Sequence, residues 1–406
     1  MRHLFAIPRD LDHQQKKLLL LLGAAFFIAQ YDMTLLTLAL PDVQTSFAIE
    51  EEKLGRLIAF ARLGAIPAIF LALLADRIGR RQLLIVSLLA LSLFCLATGF
   101  AQSATQFILL QASARMFITL EEILAVTFAL EMLPARLRGW GVGFLAAMGA
   151  LGSGLASLLY GSVDYLPAGW RSLYVLGGLA ILYIAWLRRD LPESPLFRQR
   201  LLEQRQAFWQ PLHEIFSRHR TAVYALGIIC TAFWFQISAS LSFMSKYLQE
   251  VHQFSPGNVS LMFIVAGAVA IFGNVIAGRV SDAIGRRPTL ACGILVNSVA
   301  LVAFYNSSGI LLPLTWIAAL FSFFVVEVMV STVTGELFST SCRSTATSLR
   351  SILCLVMGAI GLVVEGNLYH QLGGHAAALS TMALSGLLGL PAIAFLLRET
   401  ANTHLE

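Results

Sequence analysis

Long apolar stretches separated by short polar ones run through the whole chain, and their length sets the architecture. A helix that crosses the hydrocarbon core of a bilayer needs about 20 apolar residues, each rising about 1.5 Å. Twelve such stretches can be marked. They cover roughly 18–40, 56–75, 82–102, 106–130, 139–163 and 170–187 in the first half, then 221–246, 257–278, 289–306, 310–334, 345–370 and 375–397 in the second. The pattern predicts an all-α membrane protein of twelve transmembrane helices.

The polar punctuation repeats. LALLADRIGRR at 71–81 returns as GRVSDAIGRR at 278–287, so that Asp76 and Asp282, and Gly79 and Gly285, are each 206 residues apart. Glu131 and Arg138 in EMLPARLRG answer to Glu336 and Arg343 in ELFSTSCRS at a step of 205, and Glu193 in LPESP answers to Glu399 in LRET at 206. Polar turns repeated half a chain apart between apolar spans mark two copies of one six-helix unit. The expected division is a first bundle over 1–187, a connector over 188–220 and a second bundle over 221–406. The connector carries Arg188, Arg189, Arg198, Arg200, Arg205, Arg218 and Arg220 and is bounded by Pro192, Pro195 and Pro211, which suits a segment lying on the membrane surface.

Charge then orients the spans. Arg77, Arg80 and Arg81, then Arg136 and Arg138, the connector, Arg286 and Arg287, and finally Arg343 and Arg350 occupy alternate loops, whereas intervening loops are short or acidic (Asp42, Glu50, Glu51, Glu52). By the positive-inside rule both termini are expected in the cytoplasm, in a bacterial inner (plasma) membrane.

The D-R-x-G-R-R, E-x-x-P-x-x-x-R-G and P-E-S-P turns together resemble the cytoplasmic motifs of the major facilitator superfamily, in the version shared by its sugar porters and organic-ion and metabolite:proton symporters. The resemblance spans nearly the whole chain. It implies two pseudo-symmetric six-helix bundles that rock about a central cavity. It also implies a cytoplasmic gate made by Asp76, Arg77, Gly79, Arg80, Arg81, Glu131, Arg138 and Glu193 and, in the copy, by Asp282, Gly285, Arg286, Arg287, Glu336, Arg343 and Glu399. Carboxylates there accept bidentate arginine bonds that break on opening. Arg115 followed seven residues later by Glu122 is also similar to the fourth helix of spinster-type lipid transporters.

Ionisable residues inside the spans cost at least about 2.5–3.5 kcal/mol each, so they are the functional candidates. Counted at about 1.5 Å per residue from one side of the membrane, Asp32 lies roughly 21 Å deep, Arg62 roughly 21 Å and Arg115 roughly 24 Å, all near the bilayer centre. Arg115 and Glu122 share a helix face two turns apart, and Glu121 points about 100° away, as a structural acid would. In the resembled fold the first and fourth helices line the cavity, which implies that Asp32, Arg115 and Glu122 form the proton-coupling cluster. The alternative is that Asp32 and Arg115 make a permanent packing pair. Glu327 lies 205 residues beyond Glu122, as its counterpart in the repeat, whereas Asp32 maps to Ser238. With Asp32, Arg62, Arg115 and Glu327, the residues Trp234, Gln236, Asn274 and Tyr369 are expected to line the substrate cavity; Glu365 adds an acid on the eleventh helix.

Composition narrows the function classes. The chain is 57% hydrophobic and 13% charged, with mean hydropathy +0.76, against about 25% charged in soluble proteins. Its net charge of +5 is concentrated in loops as a topology signal, and no nucleic acid is expected. The five cysteines have no metal-ligand or disulfide spacing, and no serine triad or phosphate-cradling loop appears, so neither enzyme nor metal site is expected. The expectation is a monomeric secondary transporter in the lipid bilayer that moves a small organic solute by alternating access. A proton is the coupling ion, with sodium as the alternative, and no cofactor is needed. Carboxylate-bearing metabolites suit an acid-plus-arginine cavity. The alternatives are a proton-driven antiporter exporting cationic or amphiphilic drugs or lipids, and a transport-dead sensor on the same fold.

Overall fold

The computed structural model describes residues 12–78, 80–133, 137–190, 210–338 and 342–400, apart from the side chains at 13, 73–78, 80, 130, 131, 138, 139, 190, 210–212, 274, 275 and 344. Its regular elements, among the described residues, are all helical. In order they are α1 His13–Leu38, α2 Leu40–Phe47, α3 Glu51–Leu63, α4 Ile66–Ile78, α5 Arg80–Gly99, α6 Ala104–Met132, α7 Arg138–Tyr160 and α8 Trp170–Leu187. They continue with α9 Gln210–Arg218, α10 Arg220–Glu250, α11 Pro256–Ile284, α12 Arg286–Asn306, α13 Leu311–Leu337, α14 Arg343–Leu372, α15 His375–Ala383 and α16 Gly389–Phe395.

Eleven spans among the described residues are long and apolar enough to cross a membrane. The twelfth expected span is α6, whose middle carries Arg115, Glu121 and Glu122. α3 with α4 forms one span with a break at Gly64–Ala65, and α15 and α16 form another, joined by a short 3-10 turn over Ser385–Leu388. Local chemistry fixes where helices begin. Ser103 accepts the amide of Gln106 at 3.2 Å ahead of α6, and Ser255 accepts that of Asn258 at 3.3 Å ahead of α11, where Pro256 occupies the first turn.

By contacts the chain forms two compact units, one of residues 1–36 and 64–204 and the other of 37–63 and 205–406. The first unit is cored by Leu18, Leu22, Leu84, Leu120, Leu124, Phe128 and Leu145 from α1, α5, α6 and α7. In the second unit α2 and α3 pack on α10 and α14.

The two units share one packing device. A Cβ on Gly152 of α7 would lie 1.8 Å from the carbonyl oxygen of Phe27 in α1, and one on Gly361 of α14 would lie 2.1 Å from that of Phe235 in α10. Three residues earlier on each helix, Gly149 meets Gln30 and Gly358 meets Ser238. Helices without a hydrophobic drive between them in lipid gain from such close backbone approach.

Candidate functional site

Inside the first unit, α6 presents Arg115 and Glu122 on one face. Glu122 Oε1 accepts a hydrogen bond from Gln30 Nε2 of α1 at 2.7 Å. Arg115 is partly buried. Its charge attracts both Glu122 and Asp32 through space, yet among the described residues it donates no hydrogen bond and closes no ion pair. Asp32 is 2% exposed and accepts the thiol proton of Cys95 of α5 at 3.1 Å, while the same thiol faces the carbonyl of Tyr174 at 3.4 Å. Tyr31, beside it, donates to the Leu173 carbonyl at 3.0 Å. Asp32 is therefore held behind the arginine, among α1, α5 and α8, without a bond to it.

Glu121 points the other way and has a separate role. Its two oxygens are taken by Arg188 Nη1 and by the Ser87 hydroxyl, the latter at 2.9 Å. Arg188 also donates from Nε and Nη2 to the Leu21 carbonyl at 3.2 and 2.9 Å, and both charged groups are fully buried. This agrees with Glu121 as the structural acid. Its partner was not visible in the sequence, where Arg188 reads as the first charge of the connector.

The other cavity candidates fall in the second unit. Arg62 of α3 donates to Ser238 and, at 2.9 Å, to Ser242 of α10; Ser238 is the residue that the repeat aligns with Asp32. Glu327 lies 3.8 Å from Arg350 of α14, which gives it an ion-pair partner within the second unit. Gln236 is fully buried: its Nε2 donates to Asn297 Oδ1 at 3.0 Å and its Oε1 accepts the amide of Gly386 at 2.7 Å. It thereby satisfies the broken last span. Trp234 is partly buried and meets Phe233 edge-on, and Tyr369 packs on His375 with centroids 4.5 Å apart. The side chain of Asn274 lies outside the described residues.

Of the repeated turns, the second copy is described apart from 339–341 and the side chain at 344. Arg286 binds Asp282 at 2.5 Å and Glu336 at 3.1 Å. Glu399 accepts the amides of Arg286 and Arg287 at 2.8 and 3.2 Å, as an acid does at a helix N-terminus. Gly285, at φ +103°, makes the corner. Arg287 Nε donates to the Ile393 carbonyl at 3.1 Å and Arg343 Nε to that of Phe338 at 3.4 Å. All of these contacts lie within the second unit. In the first copy, Arg81 donates to the Arg189 carbonyl. Gly79, Glu193 and the side chains of Asp76, Arg77, Arg80, Glu131 and Arg138 lie outside the described residues.

Two clusters escaped sequence reading because their members are far apart in the chain. Lys246 of α10, fully buried, donates to Gln44, to Glu51 at 2.8 Å and to Glu250. Glu51 also faces His375, which in turn bonds Glu365. At the other end of the second unit Glu214, His219 and Cys342 bring one ligand atom each within 4.8 Å of the others. No spacing rule finds that trio, since it joins α9 to the residues that immediately precede α10 and α14.

Comparison with known proteins agrees with the architecture. Over 97% of its length the chain is 26% identical to the probable 4-methylmuconolactone transporter of Cupriavidus pinatubonensis, covering 92% of that protein. It is 27% identical to the cis,cis-muconate transport protein of Acinetobacter baylyi, over 82% of this chain and 83% of that one. Among solved structures, the D-xylose–proton symporter superposes with a TM-score of 0.78 over 96% of this chain and 99% of that one, at 18% identity. The sequence profile of the Major Facilitator Superfamily matches residues 22–273 and again 231–406, so the chain is a transporter of that superfamily and an integral membrane protein.

Proposed function

We propose that the chain is a proton-coupled symporter of a small organic carboxylate, working by alternating access in a bacterial inner membrane with both termini in the cytoplasm. The observation that carries this reading is Arg115: a guanidinium in a membrane span, attracted by two carboxylates but bonded to neither. Its fork of donors suits a bidentate carboxylate. A substrate acid taking that fork withdraws the arginine's charge from Glu122 and Asp32, and the carboxylate so released holds a proton in its place. Loss of both partners at once restores the resting arrangement. Relatives named for 4-methylmuconolactone and cis,cis-muconate support an organic-acid substrate, and a fold neighbour named as a proton symporter supports the coupling ion.

Calorimetric titration of the purified protein tests the substrate class with cis,cis-muconate, a panel of aromatic and aliphatic carboxylates, their amides, a sugar and an organic cation. At least one acid should bind while its amide does not, and Arg115→Gln should weaken that acid by about 30-fold, the value of one charged hydrogen-bonding pair of about 2 kcal/mol. Binding of a cation or sugar in preference to every acid, or an acid that binds Arg115→Gln as well as wild type, overturns the assignment.

A further inference from the structure

In the second unit His375 is clasped by two acids. Its Nδ1 lies 2.6 Å from Glu365 Oε1 of α14, and its Nε2 lies 3.4 Å from Glu51 Oε2 of α3. Glu365 is 1% exposed. The second oxygen of Glu365, together with the facing Nε2 and Glu51 Oε2, is buried with no hydrogen bond. Phe243 of α10 stacks on the ring at 4.9 Å and Tyr369 of α14 packs tilted against it at 4.5 Å. The remaining charged and titratable groups around it are Lys246 and Glu250, reached through Glu51, and Tyr305 of α12, whose hydroxyl donates to the Ser240 carbonyl. Nearby, His370 pairs with Glu52 and Arg56 donates to Asn367 at 3.3 Å, so α3 and α14 are also joined directly.

Hydrogen-bond inventory decides what this arrangement needs. A neutral imidazole has one N–H and one bare lone pair, so it can serve only one of two flanking carboxylates; an imidazolium has two N–H groups and serves both. Charge leads to the same answer. Among the described residues Lys246 is the cation that Glu51 and Glu250 share, and Glu365 has His375 as its counter-charge. We propose that His375 is a proton-binding site whose occupancy holds Thr37–Leu63 against α10 and α14. Loss of the proton leaves one carboxylate oxygen, buried and without a hydrogen bond, facing a lone pair, and the segment is released. The ligand is the proton itself, bound away from the Arg115 cluster. The site makes the hold on α2 and α3 depend on the pH at that end of the bundle. The inference rests on the reading of the chain as a proton-linked transporter, but its test needs neither substrate nor a gradient.

Ala59 is 3% exposed and lies one turn along α3 from Gly55, whose Cβ would lie 2.2 Å from the Leu362 carbonyl of α14. A thiol at Ala59→Cys is therefore hidden while the segment is held. Its labelling by a water-soluble maleimide is measured on full-length protein carrying Cys292→Ser. Rates are normalised at each pH to the exposed position Lys53→Cys, which corrects for thiolate content. The normalised rate should rise about tenfold between pH about 5.5 and 8.5, across the range where histidine titrates. In His375→Gln the rate should be high and level with pH, and Glu51→Gln should keep a smaller rise. Circular dichroism and gel filtration of each variant guard against misfolding. A normalised rate that is flat with pH in the parent, or a rise that survives His375→Gln, overturns the proposal.

Discussion

Removing Arg188 should reveal a buried electrostatic anchor of the first unit. In wild type its guanidinium serves Glu121 and makes two bonds to the Leu21 carbonyl, and both charged side chains are fully buried. Arg188→Met keeps most of the volume but leaves Glu121 with only the Ser87 hydroxyl as donor. Taking one partner from a buried ion pair costs about 3–5 kcal/mol, chiefly because the other charge is stranded. Glu121→Gln should cost less, about 2–3 kcal/mol, since the amide oxygen still accepts from Ser87 and the arginine keeps the Leu21 carbonyl. The double variant strands no charge. It should recover at least about 2 kcal/mol relative to the sum of the singles. Reversible unfolding in mixed micelles with increasing dodecyl sulfate gives all four corners of the cycle. Single effects below about 1 kcal/mol, or effects that simply add, would refute the reasoning, because both outcomes require the pair to be solvated.

Other parts of the structure give sharp expectations as well. Gly152→Leu and Gly361→Leu should each abolish assembly, read as loss of monodisperse protein, since even a Cβ would lie 1.8 and 2.1 Å from a backbone oxygen. Gly285→Ala should destabilise by about 1–2 kcal/mol in the same unfolding assay, as a non-glycine residue forced to φ +103° beside Glu399. Burial holds His252, in the turn after α10, below its ordinary value of 6.5. Its contribution to stability is thus complete above pH 6.5 and is lost as pH falls through the lower folded value, which carbon-13 NMR of labelled histidine should show as a midpoint under 6.5.

Hydropathy and the internal repeat made the helix order and the paired turns legible. What they missed follows from what a linear pattern records. Span boundaries give depth along the membrane normal but not the direction a side chain takes around its helix axis. Arg188, one residue past an apolar span, therefore reads as a loop charge although it turns back to Leu21 and Glu121. Gln236 reads as cavity lining although it faces Asn297 and the break at Gly386. Lys246 and His375 look like charges at span ends, and only the packing of α3 on α10 and α14 brings Glu51 between them. Glu121 and Glu122 were separable because they are adjacent on one helix and must point about 100° apart.

Proton movement that accompanies substrate uptake bears most directly on the proposed coupling. Proteoliposomes in weak buffer, given the acid that binds best, are followed with an external pH dye. Wild type should alkalinise the medium in step with substrate entry. Asp32→Asn or Glu122→Gln should still exchange substrate at equilibrium but move no protons with it. Substrate entry without alkalinisation in wild type, or proton-linked entry that persists unchanged in both variants, would contradict the account.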